Sequence, residues 1–369
     1  MSSAKPARHV LTDWRPEEPE FWKATGRSIA SRNLWISVPN LLLAFAIWMV
    51  WSMVVAKLKL IGFAFTTDQL FWLTALPALS GATLRIFYSF LVPILGGRLW
   101  TTISTLSLLV PAVGIGLAVQ QPETPYWVFV GLALACGLGG GNFASSMSNI
   151  SFFYPKAEKG NALALNAGFG NLGVSVMQFL VPVVIAAGAF APVVGAPQVA
   201  LDGEVRSQLW LQNAGFVWIP FIIAAAVAAW VGMNDIASAK ASFSSQAVVF
   251  KRKHNWIMCY LYLGTFGSFI GFSAAFPLLM STLFPEVNSL QYAFLGPLVG
   301  AAARALTGWV SDKFGGEHVT HWVFLAMAAG VGAVLYSIGA WGAEPSFTLF
   351  FASFIWLFAW TGIGSASTF

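Results

Sequence analysis

Ten apolar stretches of about twenty residues or more take up most of this 369-residue chain and fix most of what it can fold into. They lie near residues 34–56, 69–93, 98–119, 126–153, 160–190, 210–232, 256–283, 290–311, 320–342 and 346–369. A hydrocarbon layer about 30 Å thick needs ~20 residues of helix to cross it. No water inside that layer can satisfy the peptide groups, so each stretch must bond its own N–H and C=O groups as a helix. The expectation is an all-α membrane protein with ten transmembrane helices. Composition agrees. The chain is 57% hydrophobic and 9% charged, whereas a soluble domain carries about 25% charged residues. Pro77, Pro111, Pro220, Pro277 and Pro297 fall inside the stretches, which membrane helices tolerate.

The basic residues set an orientation. Fourteen of them fall on one side when the chain is threaded through ten spans: six in the tail from Lys5 to Arg32, then Arg98, Lys156, Lys159, Lys240, Lys251, Arg252, Lys253 and Lys313. The other side has three, Lys57, Lys59 and Arg206. Cytoplasmic loops carry the Lys/Arg excess, so the N-terminus is expected in the cytoplasm. The longest polar connector between spans, 233–255, then divides the chain. The expected parts are a cytoplasmic segment 1–33, a six-helix half 34–232, a cytoplasmic linker 233–255 and a second half 256–369 with four helices. The pI of 9.3 calls for no nucleic acid, because the basic excess serves orientation. Cys136 and Cys259 both lie in apolar stretches and read as small packing residues.

Two residues break the apolar pattern. Arg85 and Arg304 are the only ionisable side chains deep inside long apolar stretches, and they hold the same place in two copies of one motif. Residues 81–98 read GATLRIFYSFLVPILGGR and residues 300–317 read GAAARALTGWVSDKFGGE. In each, the arginine follows a glycine by four residues and precedes a Gly-Gly pair. A weaker echo links GLGGGNF at Gly137 with GIGSASTF at Gly362. Both pairs are six spans apart and run in the same direction. That is the pattern of a parallel repeat about an axis along the membrane normal, common in carriers. An arginine at mid-membrane costs roughly 2.5–3.5 kcal/mol even on insertion scales. Two at matched positions point to a shared site, and two fixed positive charges in a dry place point to an anion. The alternative is a pair of structural arginines bonded to helix carbonyls.

Two segments carry a family resemblance. GWVSDKFGG, with Gly308, Asp312, Lys313, Gly315 and Gly316, is similar to the loop motif of the major facilitator superfamily; the first copy has Pro93 where the second has Asp312. NAGFGNLGVSVMQF, Asn166 to Phe179, closely resembles the nitrate signature of the nitrate/nitrite porter family, and in particular its NarK-type branch. SRNLWISVPNLLLAF, NFASSMSNISFF and TFGSFIGFSA extend the likeness along the chain. The resemblance implies the superfamily fold of twelve helices in two pseudo-symmetric halves, so two further spans and a second signature are expected after this chain. It implies transport of nitrate and nitrite in a bacterial inner membrane, in the service of nitrate assimilation. It also implies a monomer without a cofactor, and a substrate site made by Arg85, Arg304, Phe143, Asn171, Tyr262 and Phe266. Gly168, Gly170, Gly173, Asp312, Gly315 and Gly316 would serve conformational change.

The residue chemistry fits that reading. Nitrate is planar with three acceptor oxygens, and guanidinium is planar with a fork of donors and stays protonated. Tyr262, Phe266, Phe269 and Ser273 share one helix face and can exclude water. Asn171, Ser175 and Gln178 form a polar stripe that either donates to an oxyanion or bonds neighbouring helices. Asn142, Ser145 and Asn149 read as packing. The Gly170/Gly173 face is expected to slide as the halves rock. All 14 acidic residues and all four histidines lie in loops or near span edges. Proton-coupled carriers place a titratable group in the membrane, so nitrate/nitrite antiport is expected over nitrate/proton symport. A membrane redox enzyme subunit would need axial histidines within spans.

Overall fold

The computed structural model describes residues 9–188, 194–202, 205–342 and 344–368. Lys5, Arg8 and the side chain of Asp312 lie outside what it describes. The chain is mainly helical. Nine helices among the described residues are long and apolar enough to cross a bilayer: α1 Pro19–Ile61, α2 Thr67–Leu95, α3 Gly97–Ala118, α4 Tyr126–Phe153, α5 Lys156–Ala186, α6 Asn213–Gly232, α7 Lys253–Leu283, α9 Gly316–Ser337 and α10 Phe347–Ser367. The remaining long helix, α8 Leu295–Phe314, stands where the eighth span is expected. Arg304, Asp312 and Lys313 leave it less apolar than the other nine.

Helix ends follow local chemistry. Thr66 caps α2 by accepting from the Gln69 amide at 3.2 Å, and the Gln69 side chain accepts from Thr66 N at 2.9 Å. Gly96 and Gly315, matched in the two motif copies, have φ of 99° and 83°. Only glycine adopts that region without strain, so each turns one helix sharply into the next. The ring faces of the outer helices, among them Trp72, Phe87 and Trp127, are exposed as a lipid-facing surface requires.

The motif copies also match in packing. α2 lies on α4 and α8 lies on α10. A Cβ on Gly81 would stand 2.6 Å from Trp48 of α1, and one on Gly300 would stand 2.7 Å from Phe269 of α7. Gly97 abuts Asn149 of α4, while Gly316 abuts the Ser367 carbonyl of α10. Each contact in the first half recurs six helices later. The two halves meet where α5 packs on α8 and where α7 packs on α1 and α2.

Two features add to what the sequence shows. A short antiparallel hairpin, Gln198–Asp202 with Val205–Leu209, stands between α5 and α6. The tail is also ordered from His9 onward. Val10–Leu11 pairs in parallel with Asp235–Ile236. Trp14 Nε1 donates to the Phe152 carbonyl at 3.1 Å and Trp22 Nε1 donates to Glu158 at 2.8 Å. The tail therefore binds the α4–α5 turn and the end of α6 on one face. Burial there, with Glu158 nearby, pushes the Tyr154 phenol up to about 12.

Gly97→Val tests the close packing. Its side chain meets Asn149, and overpacking of this kind costs about 1–3 kcal/mol. The thermal midpoint of the purified protein is expected to fall by several degrees. Gly131→Ala, whose new Cβ meets open space, is expected not to lower it.

Candidate functional site

Arg85 comes from α2 and Arg304 from α8, and both guanidinium groups lie against the same two rings. Arg85 Cζ is 4.8 Å from the centroid of Phe143 and 4.9 Å from that of Phe266. Arg304 Cζ is 5.4 Å and 5.2 Å from the same centroids. The separation of the two charges cannot exceed the sum of two such distances. At an effective dielectric near 20, unit charges roughly 10 Å apart repel by about 2 kcal/mol.

The rings form an ordered stack. Phe143 of α4 lies 5.5 Å from Phe266 of α7 at 21°, and Tyr262 lies 5.0 Å from Phe266 at 11°. A wide π-turn at Leu263–Gly267 interrupts α7 between Tyr262 and Ser268. Such turns add a residue to the helical repeat and re-aim the side chains around them, often at functional sites. Phe269 continues the stack at 5.9 Å from Phe266.

Each arginine has polar contacts besides the rings. Arg85 Nε donates to the Gly140 carbonyl at 3.0 Å. Its Nη2 atom is buried and makes no bond of full hydrogen-bond geometry among the described residues, with the Tyr262 hydroxyl close by. Arg304 is 4% exposed and its Nη2 donates to the Tyr262 hydroxyl at 3.3 Å. Asn171 of α5 joins them. With its amide oriented to satisfy both ends, its oxygen accepts from Arg304 Nη1 at 3.1 Å and its nitrogen donates to the Ala167 carbonyl at 3.2 Å. Arg85, Arg304, Phe143, Asn171, Tyr262 and Phe266 thus come together in one place.

Trp48 is the residue that sequence reasoning missed. Its ring lies 5.1 Å from Arg85 Cζ, and its Nε1 donates to the Pro77 carbonyl at 2.6 Å. The signal was present in Gly81 and Gly140, whose missing side chains make room for the indole. Nothing in the sequence linked those glycines to a tryptophan on another helix.

The polar stripe of α5 points across to the second half along its length. Asn171 meets Arg304. Ser175 Oγ donates to the Phe294 carbonyl at 2.9 Å, just before α8. Gln178 Nε2 donates to the Ser273 carbonyl of α7 at 2.8 Å and to Ser52 of α1 at 3.1 Å. Of the two open readings, Ser175 and Gln178 follow interhelical bonding. The glycines divide differently from expectation. Gly170 and Gly173 pack on Leu41, Leu42 and Phe45 of α1, within the same half, whereas Gly168 faces Ala305 of α8. Close approach to α1 requires Gly173, and of these glycines it is Gly168 that lies against the second half. Gly315 and Gly316 stand at the α8–α9 turn, three helical turns beyond Arg304, and do not join the site.

Two cavities stand on opposite faces of the described residues. A cleft of about 840 Å³ between α5, α8 and α10 runs from Lys156 and Lys159 to Arg304. It opens on the face bound by the N-terminal tail. On the opposite face a second cavity, of about 590 Å³, is lined by Lys57, Lys59 and Glu286 and does not reach either arginine.

No protein-family model matches the chain. It is 53% identical over 371 residues to the nitrate/nitrite transporter NarU of Escherichia coli strain K12, covering 100% of this chain and 79% of the relative. It is 45% identical to the probable nitrate/nitrite antiporter NarK2 of Thermus thermophilus, covering 97% and 81%. This chain belongs to the nitrate/nitrite transporter family. Among solved structures, the xylose transporter XylE of E. coli in a partially occluded inward-open conformation matches with a TM-score of 0.63 at 14% identity, covering 92% of this chain and 85% of that one. A bacterial homologue of the human lysosomal transporter Spinster, inward-facing and occupied, matches with a TM-score of 0.61 at 16% identity, covering 92% and 73%. The fold is that of the major facilitator superfamily, and the chain is a multi-pass membrane transporter, which sets aside the redox enzyme subunit.

Gln178→Ala removes the bond that ties α5 to α7. In a Cys259→Ser background, a cysteine replacing Ala274, next to the acceptor Ser273, is expected to react with a small maleimide several-fold faster when Gln178 is alanine. An unchanged labelling rate would show that this bond does not hold the halves together.

Proposed function

We propose that the chain exchanges nitrate for nitrite across a bacterial inner membrane, with the anion held between Arg85 and Arg304. The observation that carries this is the pair of guanidiniums packed against the same two rings, one with a buried Nη2 that makes no bond of full hydrogen-bond geometry. Arg304 is buried and Arg85 is half-buried with its Nη2 enclosed, so the two cations repel and each loses hydration that nothing in the empty site restores. A planar oxyanion between them offsets both terms, and the forked donors match its oxygens. Phe143, Phe266 and Tyr262 wall the site, exclude water and hold the guanidinium planes by cation–π contact. The names of the relatives support nitrate and nitrite as the anions.

Antiport follows from the same charges. Without an anion, closing the halves around two bare cations is unfavourable, so the empty protein stays on one side. With nitrate or nitrite bound, the halves can rock about the site. A returning proton could replace the returning anion only through a titratable group at membrane depth. The carboxylates and histidines of the described residues lie in loops or near helix ends. In this reading the protein works as a monomer, 34–232 and 256–368 move as its two halves, 233–255 links them, and the face carrying the tail is cytoplasmic.

Vesicles loaded with nitrite are expected to take up labelled nitrate rapidly, while anion-free vesicles barely do so even with an inward proton gradient. Robust gradient-driven uptake into anion-free vesicles would replace exchange by symport. Arg85→Lys and Arg304→Lys keep the charge but lose the fork. Each is expected to lower exchange by at least about tenfold, the loss of one charge-assisted hydrogen bond of about 1.5–3 kcal/mol. Near-normal exchange by either would show that charge alone suffices.

A further inference from the structure

We propose that Lys156 and Lys159 form an anion-collecting subsite at the mouth of the cleft that leads to Arg304, distinct from the site between the two arginines. The cleft holds about 840 Å³ and is lined by three cations: these two lysines at the start of α5, and Arg304 at its depth. None of the described side chains lining it is acidic. Two carboxylates close to the lysines, Glu17 and Glu158, are held by hydrogen bonds on the tail side of the mouth and are not among the lining side chains. Glu17 of the tail accepts from the Lys156 backbone N at 3.1 Å, and Glu158 accepts from Trp22 Nε1 at 2.8 Å. The tail thus turns Glu158 away from the cleft, while Lys159 on the next residue lines it.

A low-dielectric cleft lined by one sign of charge focuses its field and raises the local concentration of the opposite ion. The ligand class is a small monovalent anion, held weakly and without geometric selection, because a lysine ammonium is a hydrated point charge and not a fork. Selection stays with the arginines; the lysines govern how often an anion from the tail side reaches them. Salt screens exposed charges over about 8–10 Å at physiological strength, so the effect must fade with ionic strength. The transport part of this inference rests on the anion-exchange reading above. The collecting part does not.

The experiment has two arms, using the whole chain with both lysines changed to Gln and, as a charge-keeping control, to Arg. In the first, Trp309, which lines the cleft, reports local anion concentration. Its emission is taken as the difference between the protein and its Trp309→Phe variant, each with the same lysine set. Quenching by iodide is expected to fall at least about twofold in the Gln variant and to be retained in the Arg variant, with quenching by neutral acrylamide the same in all. Iodide quenching unchanged by Gln, or iodide and acrylamide falling together, overturns the subsite. In the second arm, exchange is measured in proteoliposomes with nitrate presented on either face. The Gln variant is expected to raise KM about threefold or more on the tail face only, at low salt, with kcat kept. An equal KM shift on both faces, or none, overturns the steering role. If quenching behaves as expected but even the unaltered protein moves no nitrate, the subsite stands and the transport reading fails.

Discussion

Keeping two guanidinium groups out of water is the constraint around which this molecule is built. Each would lose several kcal/mol of hydration in an apolar interior. The groups around them that the described residues show are uncharged. The protein surrounds them with ring faces, a carbonyl, a phenol hydroxyl and an amide, from Trp48, Phe143, Phe266, Gly140, Tyr262 and Asn171. These groups stabilise a cation without neutralising it. The positive charge stays available, which is what a site for a mobile anion requires. A buried salt bridge would have satisfied the same arginines and left nothing to bind with.

That arrangement requires contributions from both halves. Arg85, Trp48, Phe143 and Asn171 come from the first; Arg304, Tyr262 and Phe266 come from the second. Neither half holds a complete site, so any rocking of one against the other changes the site directly. The α5 stripe makes this coupling concrete. At one level Asn171 touches Arg304, and further along Ser175 and Gln178 bond to backbone carbonyls of the other half. On the tail side of the same interface lies the cleft. Among the described residues, bonds between the halves lie on one side of the arginines and the cleft lies on the other.

The matched glycines explain why the repeat survives in sequence. Gly81 and Gly300 each make room for a ring from the helix that opens their half, Trp48 on α1 and Phe269 on α7. Gly97 and Gly316 each let a helix end approach the fourth helix of its half. A side chain at any of these places would push apart helices that carry the site. The repeat is thus a packing requirement, and the arginines are positioned by it.

The sequence by itself determined the helical membrane fold, because twenty apolar residues in lipid have no other way to satisfy their backbone. It determined the repeat and the two arginines, because a charge in hydrocarbon is too costly to be incidental. It also carried the family resemblance that pointed to Phe143, Asn171, Tyr262 and Phe266. Only the tertiary structure decided that Trp48 faces Arg85, that the π-turn in α7 stacks Tyr262 on Phe266, and that Gly168, not Gly170 or Gly173, faces the second half. It alone decided that Gln178 and Ser175 bond to carbonyls, and that Lys156 and Lys159 share a cleft with Arg304. The reason is physical. Burial and helix period are local properties that composition and spacing record. Which face of one helix meets which carbonyl or ring of another depends on crossing angles and close approaches set jointly by helices far apart in sequence.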